Sequence, residues 1–372
     1  MRLQVHKSAH ADMVEYFPKF KLPDTEEPSD DWIASFEKRN DMKKLLSSDM
    51  EKNRTEMGTT ANVGEWFTKV YDPIDLKKYH PNMVGNMDES MLQTKSRLVC
   101  IVKRDARHAV ITESDNNEHI TIVTAVTTNG DSPPPLFIFP LKNLPTNLDD
   151  IVKAGKIQVA GQESGWIDQS ILKSWVIEFA KWVKHRRVML NLPPDAPFLL
   201  FVDSHSSRAH SDILKLFRDN FIDVVTYPSH SSHLLQPLDV GIFGPFKKYF
   251  KIWRRKLVRT EFVYKDNKKL SERTLLRAKI CLAAINALHQ AFAWTHVERG
   301  FRLSGIWPRD RNQTLMNDRI VQNDQVTMSN SKRKRLPITG GIITEQSIIS
   351  NLEQIEKEEQ EKKKVKKYVN LY

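Results

Sequence analysis

The sequence predicts an α/β fold in which a mixed β-sheet is flanked by helices, with helical extensions at both ends. Short apolar runs at residues 198–202 and 222–227 have the length of buried strands, and a stretch of helical period separates them. The turn signal Asn129-Gly130 lies between two further apolar runs and predicts a hairpin. A chain of 372 residues that is 40% hydrophobic can also bury one large core with attachments.

The N-terminal part of the chain is predicted to be polar and then helical. Residues 1–29 lack a clear period, and their LPDTEEPSDD segment is typical of a linker. A helix is predicted from Asp30, with Asp30 or Asp31 as its cap. A second short helix is predicted over Val63 to Lys69, followed by a linker into the core at 72–80.

The first half of the sheet comes next. Val84 to Met87 is predicted to be a short strand that ends on an acid, Asp88. The runs 119–127 and 136–139 are the arms of the predicted hairpin. Gly165 to Lys184 has apolar residues at helical spacing and predicts an amphipathic helix.

Two further acids stand at the ends of predicted elements. The strand 198–202 ends on Asp203, and ligands of open α/β sheets gather outside the carboxyl ends of strands. Asp239 stands among apolar residues at the start of a long helical pattern, where a buried carboxylate needs a partner. The alternative for each acid is a structural turn or helix-cap Asp.

The C-terminal part is predicted to contain a second long helix over about 272–296 and then a charged tail. From about Arg311 the apolar content falls, and segments such as EKEEQEKKKVKK are typical of a solvated or disordered tail.

Composition narrows the classes of function. The 57 Lys and Arg residues against 46 Asp and Glu residues suit a polyanionic partner. Cys100 and Cys281 are too few for a disulfide framework or a cysteine zinc cluster, so a reducing compartment is predicted. The sequence has neither a signal-peptide core nor an apolar run of membrane-spanning length. We therefore expect a soluble intracellular protein.

The blocks GNMDES, VDSHSSRAH and YPSHSSHLLQPLDVGIFGPFKKYF resemble the catalytic blocks of the pogo, Tigger and jerky-like transposases. These belong to the DDE superfamily of endonucleases, to which centromere protein B is related. The likeness continues through TAVTTNGDSPPPLFIFP, GWIDQSILKSWVIEFAKWV and GFRLSGIWPRD, and thus spans about residues 32–309. The resemblance implies a ribonuclease-H-like catalytic domain whose three acids bind two divalent metal ions to cut and join DNA.

The resemblance assigns Asp88, Asp203 and Asp239 as the catalytic and metal-binding acids. Mg²⁺ or Mn²⁺ is the implied cofactor, since hard divalent cations take oxygen ligands. Three close carboxylates also repel one another unless a cation is present. Glu89 belongs to the same phrase, but no role is assigned to it. Met91 stands where the family has a small residue, which questions the local backbone path.

Four histidines allow two interpretations. They are close in sequence and could form a zinc site, or they could be structural or phosphate-contacting residues of the family blocks. They are His205, His210, His230 and His233.

Basic residues just beyond Asp239 predict a DNA-phosphate surface, with a solvated helix face as the alternative. They are Lys247, Lys248, Lys251, Arg254 and Arg255. Lys332 to Arg335 resembles a nuclear localisation patch, so a nuclear location is expected, although a generic basic tail has the same composition.

The sequence thus predicts four parts. They are a helical remnant of the N-terminal DNA-binding region with its linker (1–80), a catalytic domain (81–262), a helical extension (263–310) and a charged, disordered tail (311–372). The phrase that begins near Trp32 resembles the end of the family's second helix-turn-helix unit, so most of that region is expected to be missing here.

The first functional hypothesis is a DNA endonuclease and strand transferase that acts on DNA as a possible homo-oligomer, with no membrane or small-molecule partner. The second is a domesticated nuclear DNA-binding or chromatin protein without transposition activity. The intact acids favour the first hypothesis and the shortened N-terminal region the second. A ribonuclease-H-like RNA hydrolase is a third hypothesis, and the QPLD block argues against it.

Overall fold

The computed structural model describes residues 30–39, 58–93, 119–144, 157–204, 210–258, 272–317, 319–320 and 342–369. The chain divides into two compact units, residues 1–50 and 51–372. In the first unit, only helix α1 (Asp30–Arg39) is described, and it begins where the sequence predicts. Everything below concerns the second unit.

Six strands form one mixed sheet. They are β1 (Val84–Gln93), β2 (His119–Thr127), β3 (Leu136–Phe139), β4 (Gln158–Gly161), β5 (Phe198–Val202) and β6 (Ile222–Thr226). Their order is β4-β3-β2-β1-β5-β6. Strands β1, β2 and β3 form an antiparallel meander, and β5 and β6 are added in parallel on the other side of β1. This mixed sheet, with helices on both faces, has the predicted ribonuclease-H-like arrangement.

The helices of the second unit are α2 (Thr60–Trp66), α3 (Gln169–Met189), α4 (Ser211–Asp219), α5 (Ser232–Leu235), α6 (Phe243–Val258), α7 (Glu272–Ala291), α8 (Trp294–Leu303), α9 (Arg311–Leu315) and α10 (Gln346–Val369). Two π-helical turns continue or precede them, at Phe67–Tyr71 and Leu238–Ile242. Short 3₁₀ turns lie at Leu76–Lys78 and Pro81–Met83.

The hairpin between β2 and β3 is confirmed, and its turn has the expected chemistry. Gly130 adopts a φ of 89°, which a residue with a side chain rarely does. The Thr127 hydroxyl donates to Asn129 Oδ1 at 2.6 Å, and Asn129 Nδ2 donates to Asp131 Oδ2 at 2.6 Å. Arg186 from α3 also donates to Asp131, at 2.5 Å, so the helix holds the turn.

Three boundaries differ from the sequence prediction. Helix α3 begins at Gln169 because Gly165 is left-handed, with a φ of 70°, and Asp168 caps the helix by accepting from Ile171 N at 2.8 Å. Strand β1 continues past Asp88 because β2 pairs with it as far as Gln93. The sequence did not indicate β4, whose residues are only half-buried and lack an apolar run.

The sheet separates two hydrophobic clusters. One face is covered by α2, α6, α7 and α8, and we call it the acid face for the residues described below. The opposite face is covered by α3, α4 and α10. The long strands therefore have apolar residues on both sides, as expected for a sheet buried between helices.

The C-terminal part differs from the predicted disordered tail. Ile343 N donates to Val224 O at 2.9 Å, and Val224 N donates to the Thr344 hydroxyl at 3.2 Å, so this segment covers the free edge of β6. Helix α10 then packs on α4, with Ile349 and Leu352 buried. These apolar residues recur at helical spacing within a charged sequence, and average composition conceals that pattern.

The predicted division at residues 80 and 262 stays a prediction. In the packing of the second unit, the acid-face cluster includes residues from each side of both boundaries, such as Trp66, Phe201 and Ala284. The segment before residue 80 is thus part of the same core as the sheet.

Candidate active site

The pairing of β1 with β5 brings two of the predicted acids level with each other. The parallel register pairs Val84 with Leu199 and Asn86 with Phe201. Strand β5 ends at Val202, whereas β1 continues along β2. Continuing the same register by two residues makes Asp88 level with Asp203. This is the carboxyl end of β5, where ligands of such sheets collect.

The alternation of side chains puts these acids on the acid face. In β1, Val84 and Leu92 belong to the acid-face cluster, so Asp88, which is only 7% exposed, points to the same side. In β5, Leu199 and Phe201 belong to that cluster, and the same alternation extended by one residue assigns Asp203 to this face.

Asp239 lies in a π-helical turn that leads into α6 on the acid face. The turn covers Leu238–Ile242, and such wide turns are frequent at functional sites. Pro237 occupies the cap position and no side chain caps this end, so Asp239 is a first-turn acid and not the helix cap. Gln236 Nε2 donates to Asp239 Oδ2 at 3.3 Å, while the Asp239 side chain remains exposed.

Asn86 connects the elements that carry the three acids. Its Nδ2 donates to Phe201 O at 3.0 Å, and its Oδ1 accepts from Leu238 N at 3.0 Å. Leu238 N is one of the first-turn donors that a helix cannot satisfy internally. Because Asn86 is fully buried, these bonds fix the turn of Asp239 against β1 and β5.

Two glycines allow α8 to lie directly against the turn of Asp239. A Cβ on Gly241 would stand 2.5 Å from the Gly300 Cα, and a Cβ on Gly300 would stand 2.7 Å from Pro237 O. The two backbones therefore approach as closely as only glycine permits. Helix α8 thus supports the Asp239 turn from behind.

Tyr227 extends β6 toward the same place. Its backbone N donates to Val202 O at 3.3 Å, and its ring stacks on Phe201 at 6.0 Å between centroids. Burial raises the pKa of Tyr227 well above its usual value, and the neighbouring Tyr71, Asp88 and Asp239 raise it further. The Tyr227 hydroxyl is therefore a neutral group close to two of the predicted acids.

Helix α2 supports this end of the sheet. Trp66 Nε1 donates to Thr226 O at 2.8 Å, and the Trp66 ring packs on Tyr227 with centroids 5.7 Å apart. Tyr71 packs edge-on against Phe201 at 5.2 Å. An aromatic cluster thus underlies the ends of β5 and β6.

The histidines are distributed over several elements. His210 stands at the cap position of α4, with its Nδ1 3.5 Å from Glu356 Oε1 of α10. His230 adopts a φ of 61° in the turn after β6, a strained conformation of the kind that clusters at functional sites. His233 lies on α5, and His205 is outside the described residues.

The predicted basic residues lie on α6. Lys247, Lys248, Lys251 and Arg255 are exposed, and Arg254 is half-buried. Phe246 and Phe250 of the same helix are buried against the acid-face cluster. The four exposed residues share one side of α6, which begins one residue after the π-helical turn of Asp239. Lys332 to Arg335 is outside the described residues.

No group of three or more His, Cys, Asp and Glu side chains in the described ranges is arranged to hold a metal ion. The donors that the backbone brings toward one end of β5 are nonetheless carboxylates, the type that Mg²⁺ and Mn²⁺ prefer. The buried Tyr227 hydroxyl has no hydrogen-bond partner among the described residues and is a further oxygen at this place. The chemistry of these groups therefore fits a hard divalent cation.

Sequence reasoning missed four residues that shape this site. Asn86 and Tyr227 were noticed only as parts of family phrases, and Gly241 and Gly300 were not singled out. The available signal was a buried polar or glycine residue inside an otherwise apolar block. Met91 did not disturb the backbone, since β1 pairs regularly with β2 through Met91 and Thr121.

Solved structures with similar architecture come from the Mos1 mariner transposase. A paired-end complex with Mg has a TM-score of 0.41 and 10% identity, with 85% of this chain and 92% of that chain covered. A strand transfer complex has a TM-score of 0.41 and 9% identity, covering 83% and 69%. The isolated catalytic domain has a TM-score of 0.33 and 10% identity, covering 70% and 98%. All these scores are below 0.5, so the fold class rests on the observed strand order.

A protein named MFS-type transporter clz9 from Cochliobolus lunatus is 29% identical to this chain over 140 residues. The alignment covers 37% of this chain and 14% of that protein, so the chain spans about one-seventh of the relative's length. Within the described ranges, no helix is both long and apolar enough to cross a membrane.

The family comparison identifies the catalytic region. The DDE superfamily endonuclease domain matches residues 116–301, half of the chain. The matched range contains Asp203 and Asp239, and Asp88 precedes it. The strand order and this match agree, and the chain belongs to the DDE superfamily of endonucleases.

Proposed function

We propose that this chain is a DNA endonuclease and strand transferase of the pogo, Tigger and jerky-like group. In this proposal, Asp88, Asp203 and Asp239 hold Mg²⁺ or Mn²⁺, and the substrate is DNA. The observation that supports it most is the register of β1 with β5, which makes Asp88 level with Asp203 beside the turn of Asp239.

The proposed metal ligands need a cation to come together. Three carboxylates at one end of a strand repel one another, and a divalent cation removes that repulsion. When bound, two such ions would stabilise the attacking and the leaving oxygen of a phosphodiester exchange. The chain's own contribution is to hold the acids in position, through Asn86 and through the Gly241–Gly300 contact.

The proposed reaction has two stages, and both exchange one phosphodiester bond. In the first, water attacks the phosphorus at the element end, the P–O3′ bond breaks and the departing 3′-oxygen takes up a proton. In the second, that 3′-hydroxyl attacks a phosphorus of target DNA, loses its proton, and displaces another 3′-oxygen. Neither stage requires an oxidant or a further co-substrate.

The DNA would lie along α6. Its four exposed basic residues begin eight positions after Asp239, about 12 Å along a helix at 1.5 Å per residue. Lys and Arg contacts of this kind bind phosphates without reading sequence. We further propose a nuclear location and assembly of more than one copy on DNA, which the superfamily's chemistry on paired DNA ends would suit.

The experiment that tests this proposal is a joining assay with the Asp203→Asn variant. A pre-nicked substrate with an exposed 3′-hydroxyl omits the first cut, so weak recognition of the element end matters less. We expect the wild type to join this substrate only with Mg²⁺ or Mn²⁺ and the Asp203→Asn variant to be inactive, because the amide lacks the charge that binds the cation.

Asp219→Asn is the matched control, because Asp219 is an exposed acid at the end of α4. It should retain wild-type joining activity. Equal traces of activity in the wild type and in Asp203→Asn would indicate contamination and contradict the proposed enzyme. DNA binding without joining would then favour the domesticated DNA-binding protein.

A further inference from the structure

The Tyr227 hydroxyl is a buried polar group without an evident structural purpose. The Tyr227 side chain is 2% exposed, and its hydroxyl has no hydrogen-bond partner among the described residues. Leaving such a group unsatisfied in a core is unfavourable, and native proteins rarely do so. Phenylalanine would fill the same space without that cost, so the hydroxyl calls for an explanation.

The position of the ring limits what the hydroxyl can reach. Tyr227 belongs to the acid-face cluster at the end of β6, and its ring lies over Phe201 of β5, the strand between β6 and β1. The ring therefore extends across β5 in the direction of β1. The carboxylates close enough to raise the pKa of Tyr227 are those of Asp88 and Asp239.

Asp88 is the better partner of the two. Its side chain is 7% exposed, whereas that of Asp239 is open to solvent and already accepts from Gln236. A buried carboxylate that binds a cation with one oxygen needs a donor for its remaining lone pairs. The Tyr227 hydroxyl is a donor of the right kind, because it stays protonated in this buried place.

We propose that Tyr227 is a positioning residue of the acid site, whose hydroxyl donates a hydrogen bond to the Asp88 carboxylate when a divalent cation is bound. The hydroxyl would hold Asp88 in the orientation that binds the cation. This rests on the proposed function, since it assumes that Asp88 is a metal ligand.

The test is to measure Mn²⁺ binding of the whole chain by calorimetry for the wild type and for Tyr227→Phe. Removing a hydrogen-bonding partner of a metal ligand typically weakens metal affinity by 10–100-fold, so we expect a fall of about ten-fold or more. Without metal, Tyr227→Phe should unfold at the same temperature as the wild type or higher, since the hydroxyl has no partner to lose.

Tyr79→Phe is the matched control. The Tyr79 hydroxyl donates to Asp223 Oδ2 at 2.7 Å, so its removal costs a hydrogen bond to a carboxylate of β6 outside the acid site. This variant should lose thermal stability and keep wild-type Mn²⁺ affinity. A lone structural role of Tyr227 would give the same pattern as Tyr79, with lower stability and unchanged affinity, and would overturn the proposal.

The Asp203→Asn variant separates the two levels of the argument. If Mn²⁺ affinity falls in Asp203→Asn but not in Tyr227→Phe, the acid site stands and the role of Tyr227 is refuted. If the wild type itself binds no Mn²⁺, or binds it as well as Asp203→Asn does, the proposed function fails together with the role of Tyr227.

Discussion

The Asn86 bridge makes a quantitative prediction about stability. Replacing Asn86 by Ala leaves Leu238 N without its acceptor and Phe201 O without the amide donor, both inside the core. Each buried group left unsatisfied costs about 1–3 kcal/mol. The two together predict that the free energy of unfolding falls by about 2–5 kcal/mol, a large share of the 5–15 kcal/mol typical of a domain.

Urea unfolding followed by tryptophan fluorescence measures this loss, and Asn286→Ala is its control. Asn286 on α7 is half-buried, and its Nδ2 donates to Leu282 O at 2.8 Å within the same helix. Because Ala is the better helix former, we expect the control to stay within about 0.5 kcal/mol of the wild type. If Asn86→Ala were as stable as Asn286→Ala, the bridge could not be what fixes the Asp239 turn.

Three further predictions follow from the packing and the charges. Gly241→Ala should lower the free energy of unfolding by about 1–3 kcal/mol, because the new Cβ would meet the Gly300 backbone, whereas Gly244→Ala, with open space around its Cβ, should be neutral or stabilising; equal thermal shifts in the two variants would contradict the close contact. Truncation after residue 341 should speed hydrogen exchange at the Val224 amide, which Thr344 now covers, while truncation after residue 369 should not; equal exchange in both would mean that the segment does not protect β6. The triple Ala variant of the α6 lysines should weaken DNA binding on any sequence and reduce the slope of log affinity against log salt by about 2.7, at about 0.9 per lost phosphate contact. Its lysines are Lys247, Lys248 and Lys251. A double Ala variant of the exposed Lys181 and Lys184 on α3 is the control, and an unchanged slope in the triple variant would make that side of α6 a solvated face.

The sequence predicted the parts of the fold that local patterns encode. The strand 198–202 was predicted at its observed bounds, because five apolar residues between Pro197 and Asp203 leave little choice. The β2–β3 hairpin followed from its Asn-Gly turn. The family phrases indicated the three acids, and the observed register agrees with a common location for Asp88 and Asp203.

Long-range contacts were beyond local reasoning. Asn86 binds the backbone at Leu238, which is 152 positions away, and no spacing rule relates the two. Gly241 and Gly300 look like ordinary helix-weakening residues until their helices are seen to touch. The cover of β6 by Ile343 and Thr344 was missed because a charged composition was taken to mean disorder, although apolar residues recur within it.

The most direct test of the account is to locate Mn²⁺ in a crystal of this chain by its anomalous scattering. We predict one or two peaks at the end of β5, with carboxylate oxygens of Asp88, Asp203 and Asp239 as ligands at about 2.0–2.3 Å. The same crystal of Asp203→Asn should have weaker peaks or none. Peaks elsewhere on the chain, with these three carboxylates pointing apart, would contradict the claim that the three acids form one metal-dependent active site.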